Sequence, residues 1–174
     1  MGDPDDDLTE LAEAIEQGRD TIEVPEALLE EHPPEQQVAK SLQAELQGMR
    51  VGERLKLALK GNRDVRTLLI RDANRMVQRF VLLNPRITDE EVLAISKNRS
   101  IDREVLEQVC RKKEWVSNYQ VRLALATNPK TPLGVAVRFV PTLLPRDLRT
   151  LAKSKNVPAA ICSMAKRLVI ERGG

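Results

Sequence analysis

Apolar residues along this chain recur at three- and four-residue spacing in one short stretch after another. Leu8, Leu11, Ala12 and Ile15 form a first stripe, and Val38, Leu42, Leu46 and Met49 a second. Further stripes follow at Val51, Leu55, Ala58 and Leu59, at Val65, Leu68 and Leu69, and at Met76, Val77, Phe80 and Val81. Val105, Leu106, Val109 and Cys110 continue the pattern, then Val121, Ala124 and Leu125, then Leu144, Leu148, Leu151 and Ala152, and last Ile161, Met164, Ala165, Leu168 and Val169. This is the spacing of one face of an α-helix, and no stretch alternates apolar with polar residues over the length of a strand. The pattern predicts an all-α protein. Each segment is about ten residues long, too short to hold a helix alone in water, so the helices must stack and bury their stripes against neighbours.

The stretches between stripes share a device. In LALATNPKTP, from Leu123 to Pro132, Pro129 disfavours helical geometry at Asn128 and so ends the preceding helix. Thr131 is then expected to offer its hydroxyl to the free N–H groups of a new helix, with Pro132 in the first turn, where a missing N–H costs nothing. VLLNPRITDEE, from Val81, repeats these parts, and Thr88 with Glu91 predicts a capping box. Weaker versions occur at GNRDV, KNRSID and KNVPAA, which makes Asn62, Asn84, Asn98, Asn128 and Asn156 five expected stops at irregular intervals. In the N-terminal part, Pro33 and Pro34 after His32 are expected to open the second helix.

The segment YQVRLALATNPKTPLGVAVRFV resembles the leucine-rich variant repeat, a bacterial helical repeat with a V-R-x-x-[LVA]-A-x-N-P-x-T-P-like core. Val121, Arg122, Leu125, Ala126, Asn128, Pro129, Thr131 and Pro132 carry the match, and VLLNPRIT and LAKSKNVP are partial copies. More loosely, the region resembles HEAT-like arrays. The unequal spacing departs from the family, and the cysteine cluster of some members is missing. The resemblance implies a short α-solenoid of HEAT-like or leucine-rich-variant type, and no particular activity.

Charge divides the chain in two. Residues 1–48 hold fourteen Asp and Glu against Arg19 and Lys40, whereas residues 49–174 hold twenty-six Lys and Arg against twelve acids. The division predicts an acidic helical segment with a connector at 1–48 and a basic helical array at 49–174. Aromatics make up only 2% of the chain, so the core must be built from Leu, Val, Ile and Ala. No run approaches the roughly 18 apolar residues that cross a bilayer, and the acidic start is unlike a secretory signal, which together give the expectation of a cytoplasmic protein without a membrane partner; that the cytoplasm is bacterial is what the repeat resemblance implies.

Candidate chemistry is sparse. The one His and the two cysteines, Cys110 and Cys162, have no metal-ligand spacing, and both cysteines fall on apolar stripes as expected small buried hydrophobes. No phosphate loop, nucleophile elbow or paired ligand motif occurs, so neither enzyme activity, a cofactor, a metal nor a small-molecule substrate is expected. Asp89 and Glu90 read as first-turn charges favoured by the helix dipole. Basic residues beside the only Trp and only Tyr are the candidate site: Arg111, Lys112, Lys113, Trp115, Tyr119 and Arg122. If helical, this segment would put Trp115 and Tyr119 on one face, a footprint suited to an acidic protein partner. The bland reading packs the two rings between helices. The expected function is a protein-interaction scaffold or adaptor. The alternative is a nucleic-acid-binding module whose basic array, including Arg71, Arg75 and Arg79, is shielded by the acidic segment.

Overall fold

The computed structural model describes residues 4–31 and 38–172, with side chains at 8–31 and 41–172, and no strand occurs among them. The chain is all-helical, with two compact units, Met1–Ile87 and Thr88–Gly174. The charge boundary near residue 48 therefore falls inside the first unit.

The first unit contains α1 (Pro4–Glu16), a 3-10 turn at Glu26–Leu28, α2 (Val38–Gly48), α3 (Val51–Lys60), α4 (Arg63–Leu69) and α5 (Arg75–Leu83). Helix α3 packs against α1, α4 and α5, and α2 packs against α4. Ile15, Leu57, Leu59, Val65, Val77 and Phe80 are fully enclosed, and Leu42 and Leu46 are buried with them. Val51 and Met76, expected on buried stripes, stand exposed in the first turns of α3 and α5. The proposed helix start at Pro33 and Pro34 lies outside the described residues.

The acidic stretch is tied to the basic helices beside it. Lys56 Nζ lies 2.9 Å from Asp20 Oδ1 and also donates to the Ile22 carbonyl. Buried Arg66 donates to Glu31 at 2.7 Å, and Glu31 also accepts the Arg63 N–H at 2.9 Å. Burial acts to raise the pKa of both carboxyls, but hydrogen bonds and nearby cations outweigh it, so Asp20 and Glu31 titrate below their ordinary values of 3.8 and 4.5.

The second unit contains α6 (Asp89–Lys97), α7 (Arg103–Arg111), α8 (Lys113–Ser117), α9 (Tyr119–Thr127), α10 (Leu133–Phe139), a 3-10 turn at Val140–Thr142, α11 (Pro145–Lys153) and α12 (Ala159–Glu171). Helix α9 packs on α6, α8 and α10, while α11 packs on α12. Leu125, Val140, Leu148, Ile161 and Ala165 form the interior. Leu144, expected on the α11 stripe, is instead the exposed residue preceding that helix.

Helix starts follow the expected chemistry in one case and depart from it in another. Thr88 and Glu91 form the reciprocal capping box, with Thr88 N–H donating to Glu91 Oε2 at 3.0 Å and Glu91 N–H to Thr88 Oγ1 at 3.3 Å, and Asp89 and Glu90 lie in the first turn. Thr131 does not cap α10. Pro132 takes the N-cap position, so the helix begins one residue later and the buried Thr131 hydroxyl has no partner among the described residues.

The two cysteines are half-buried rather than enclosed. Burial pushes the Cys110 thiol up to about 11, outweighing nearby Arg138. Cys162 uses its edge position to donate its S–H toward the Ser154 carbonyl at 3.1 Å and the Leu151 carbonyl at 3.5 Å, at the end of α11. None of the described helices is long and apolar enough to cross a membrane.

Candidate binding groove and the asparagine staples

The repeated Asn-Pro stops do more than end helices. Asn84, the C-cap of α5, accepts the Arg86 N–H through Oδ1 at 2.9 Å. Its Nδ2 donates across to α3, to the Ala58 carbonyl at 3.0 Å and the Gly61 carbonyl at 3.3 Å. Asn128, the C-cap of α9, repeats this arrangement: Oδ1 accepts Lys130 N–H at 2.9 Å, and Nδ2 donates to the carbonyls of Ser96 at 2.8 Å and Asn98 at 3.1 Å, at the end of α6. Both side chains are buried. The last carbonyls of a helix have no intrahelical donor, so each amide satisfies the open end of a neighbouring helix while closing its own loop. We call this a staple. It fixes α5 to α3 and α9 to α6 at their C-terminal ends.

The other expected stops behave differently. Gly61 ends α3, and Asn62 opens α4 by accepting the Val65 N–H at 3.1 Å. Asn98 ends α6 and accepts the Ser100 N–H at 2.9 Å. Asn156 is exposed, two residues beyond Ser154, which ends α11.

The predicted aromatic and basic cluster is brought together only in part. Trp115 lies on α8 and Tyr119 opens α9, because Asn118 ends one helix and caps the next by accepting Gln120 N–H at 2.9 Å. The two rings therefore do not share one helical face. Trp115 is only 6% exposed, which corrects the expectation of an open aromatic pair. Lys112, half-buried between α7 and α8, holds its ammonium 4.3 Å from the Trp115 ring centroid, and burial, which outweighs Glu114, lowers its pKa. Tyr119 donates to Asp147 and accepts Leu144 N–H at 3.1 Å, which ties the start of α9 to the start of α11. Burial, together with the Asp147 carboxylate, raises its pKa. Arg122 donates to the carbonyls of Val116 at 2.7 Å and Ser117 at 2.9 Å, closing the end of α8. Arg111 and Lys113 remain exposed. Arg71 and Arg75 are exposed as well, but the break at Asn74 puts Arg71 outside the helix that carries Arg75 and half-buried Arg79.

Between α9 and α11 there is a groove of about 280 Å³. Their N-terminal ends are joined through Tyr119, but no staple links their C-terminal ends, since Thr127 turns its hydroxyl back to the Leu123 and Ala124 carbonyls and Asn156 points to solvent. Leu123, Ala124 and Leu151 supply the apolar floor, Gln120, Thr127, Thr150 and Ser154 the polar rims, and Lys97 of α6 a cation. Asp147 also lines it, with its carboxylate engaged by the Tyr119 hydroxyl and 3.5 Å from Arg146 Nε. Sequence reading missed this site, although its signal was present: Gln120, Leu123, Ala124 and Thr127 on α9, and Asp147, Thr150, Leu151 and Ser154 along α11, repeat the same i, i+3, i+4, i+7 row.

The arrangement can hold an apolar side chain and polar groups around it. Among the described residues no group of three or more His, Cys, Asp or Glu side chains comes together as a metal site. Compared with protein-family models, curated proteins and solved structures, the chain matches none of them.

Proposed function

We propose that this chain is a non-enzymatic protein-interaction module, a scaffold or adaptor built on a short α-solenoid of HEAT-like or leucine-rich-variant type and working in a bacterial cytoplasm. The observation that carries the reading is the staple. Two separate helix pairs are joined by the same side-chain amide in the same chemistry, as expected of degenerate copies of one stacking unit. Layers fixed at their ends present a stiff surface, and a stiff surface binds without the cost of ordering itself.

A second reading, nucleic-acid binding with shielding by the acidic segment, is favoured by the ion pairs of Asp20 with Lys56 and Glu31 with Arg66. Burial of Trp115 and the internal bonds of Tyr119 leave little aromatic surface for bases, which favours the protein partner. Selection of displayed peptides on the full-length chain, alongside gel shifts with single- and double-stranded nucleic acid, tests the choice. A convergent peptide motif is expected, with any nucleic-acid binding weak and lost in salt. Nucleic acid bound more tightly than every selected peptide, and more tightly still by Glu31→Gln, would reverse it. Truncation is unsuited to this test, since residues 1–48 supply Ile15, Leu42 and Leu46 to the core.

A further inference from the structure

We propose that the α9–α11 groove is the docking site for an acidic peptide segment of a partner protein, which seats one apolar side chain on Leu123, Ala124 and Leu151 and sets its carboxylates against Lys97 and the surrounding positive surface. This rests on the protein-interaction reading and adds the place and the partner's chemistry.

Three observations converge on that occupant. The first is charge. From Tyr119 to Glu171 the chain has nine Lys and Arg against Asp147 and Glu171 alone. Of these, Arg146, Arg149 and Lys153 are on α11 beside Asp147, whose carboxylate is already engaged, and Arg122 is on α9, so the two helices that wall the groove carry more positive than negative charge. Lys97, within the groove, is exposed. A field of that sign draws acidic segments and repels basic ones.

The second is the floor. It is apolar, with half-buried Leu123 beside buried Ala124 and Leu151, so an apolar side chain placed there would leave water itself and cover what Leu123 still exposes. A polyphosphate backbone has nothing to put there, and no aromatic ring lines the groove to stack a base. The third is size. At about 280 Å³ the space lies at the lower limit of small-molecule sites and suits a side chain or two of a longer ligand.

The test uses the full-length chain and short fluorescent peptides of Asp and Glu with one central Leu, measured by polarisation. Comparison probes carry central Ala, or Lys in place of the acids, and a homopolymeric RNA serves as competitor. Lys97→Glu and Thr150→Glu place a negative charge in the groove at exposed positions, and Arg138→Glu makes the same charge change as Lys97→Glu at an exposed position on α10. Thermal melts confirm that each variant folds. The acidic Leu peptide is expected to bind, to lose about tenfold or more with central Ala and with either groove variant, and to be little affected by Arg138→Glu. Equal binding of Leu and Ala peptides, equal loss with Arg138→Glu, or displacement by RNA as effective as by peptide would overturn the proposal. Peptides selected on the whole chain that bind both groove variants at full strength would refute the groove and leave the module reading standing. Failure to select any peptide would sink both.

Discussion

At the scale of single residues, the side-chain amides of Asn84 and Asn128 matter more than their role as helix stops suggests. Replacing Asn128 by Ala removes the acceptor for Lys130 N–H and leaves the Ser96 and Asn98 carbonyls without its donor, and the bond to Ser96 is a buried one. A loss of about 1–3 kcal/mol is expected for Asn128→Ala and likewise for Asn84→Ala, measured by chemical denaturation. Asn156→Ala, at an exposed position, should leave the midpoint unchanged. Trp115→Ala should cost about 3–5 kcal/mol because the ring is buried, and a melt close to that of the native chain would return Trp115 to the surface. The sequence made Asn128 legible as a terminator through Pro129, a purely local rule. That Nδ2 would reach α6 was not legible, because that contact depends on which helix lies alongside. Two further features were not legible from local rules: the one-residue shift of a helix start that removes the Thr131 cap, and the bond that ties Tyr119 to Asp147 on another helix.

At the scale of elements, periodicity carried most of the information. Nearly every predicted stripe is a helix in the structure, and the errors lie at helix starts, where Val51 and Met76 in first turns and Leu144 just before α11 are exposed. The α3–α4 corner shows why such turns are tight. A Cβ on Gly61 would fall against the Leu57 carbonyl and 2.7 Å from Val65 Cγ1, and the Gly61 carbonyl itself accepts from Arg66 at 3.0 Å and from Asn84. Gly61→Ala is therefore expected to lower the thermal midpoint by several degrees, with backbone, not a flexible side-chain tip, forced to move. The contact between the acidic stretch and α3 and α4 adds a pH dependence. Asp20 and Glu31 have lowered folded-state values, so their stabilisation is fully present above their ordinary values of 3.8 and 4.5 and is lost as pH falls through the folded ones. The Asp20→Asn, Glu31→Gln double variant should melt lower than the native chain at pH near 6, and the gap should close on acidification. A gap independent of pH would show that these pairs do not supply it.

At the scale of the whole molecule, composition announced the all-helical class and the polarity of charge, but not where the chain divides into compact units. The charge boundary is a property of the linear order, whereas packing joins Ile15, Leu42 and Leu46 to helices on the basic side of it. The groove was hidden because it exists only where two helices do not close on each other, and no single stripe records a gap. One last consequence follows from the staples, and it concerns ageing. An asparagine deamidates when the backbone nitrogen of the next residue attacks its side-chain carbonyl, and Pro85 and Pro129 leave that nitrogen without a hydrogen to lose. The two amides that hold helices together are thereby closed to the ordinary succinimide route, whereas Asn98 and Asn156, followed by Arg99 and Val157, are open to it. Peptide mapping after long storage in mildly alkaline buffer should find conversion at asparagines without a following proline and none at Asn84 or Asn128; the proline that ends each helix also keeps the neighbouring amide from wearing out.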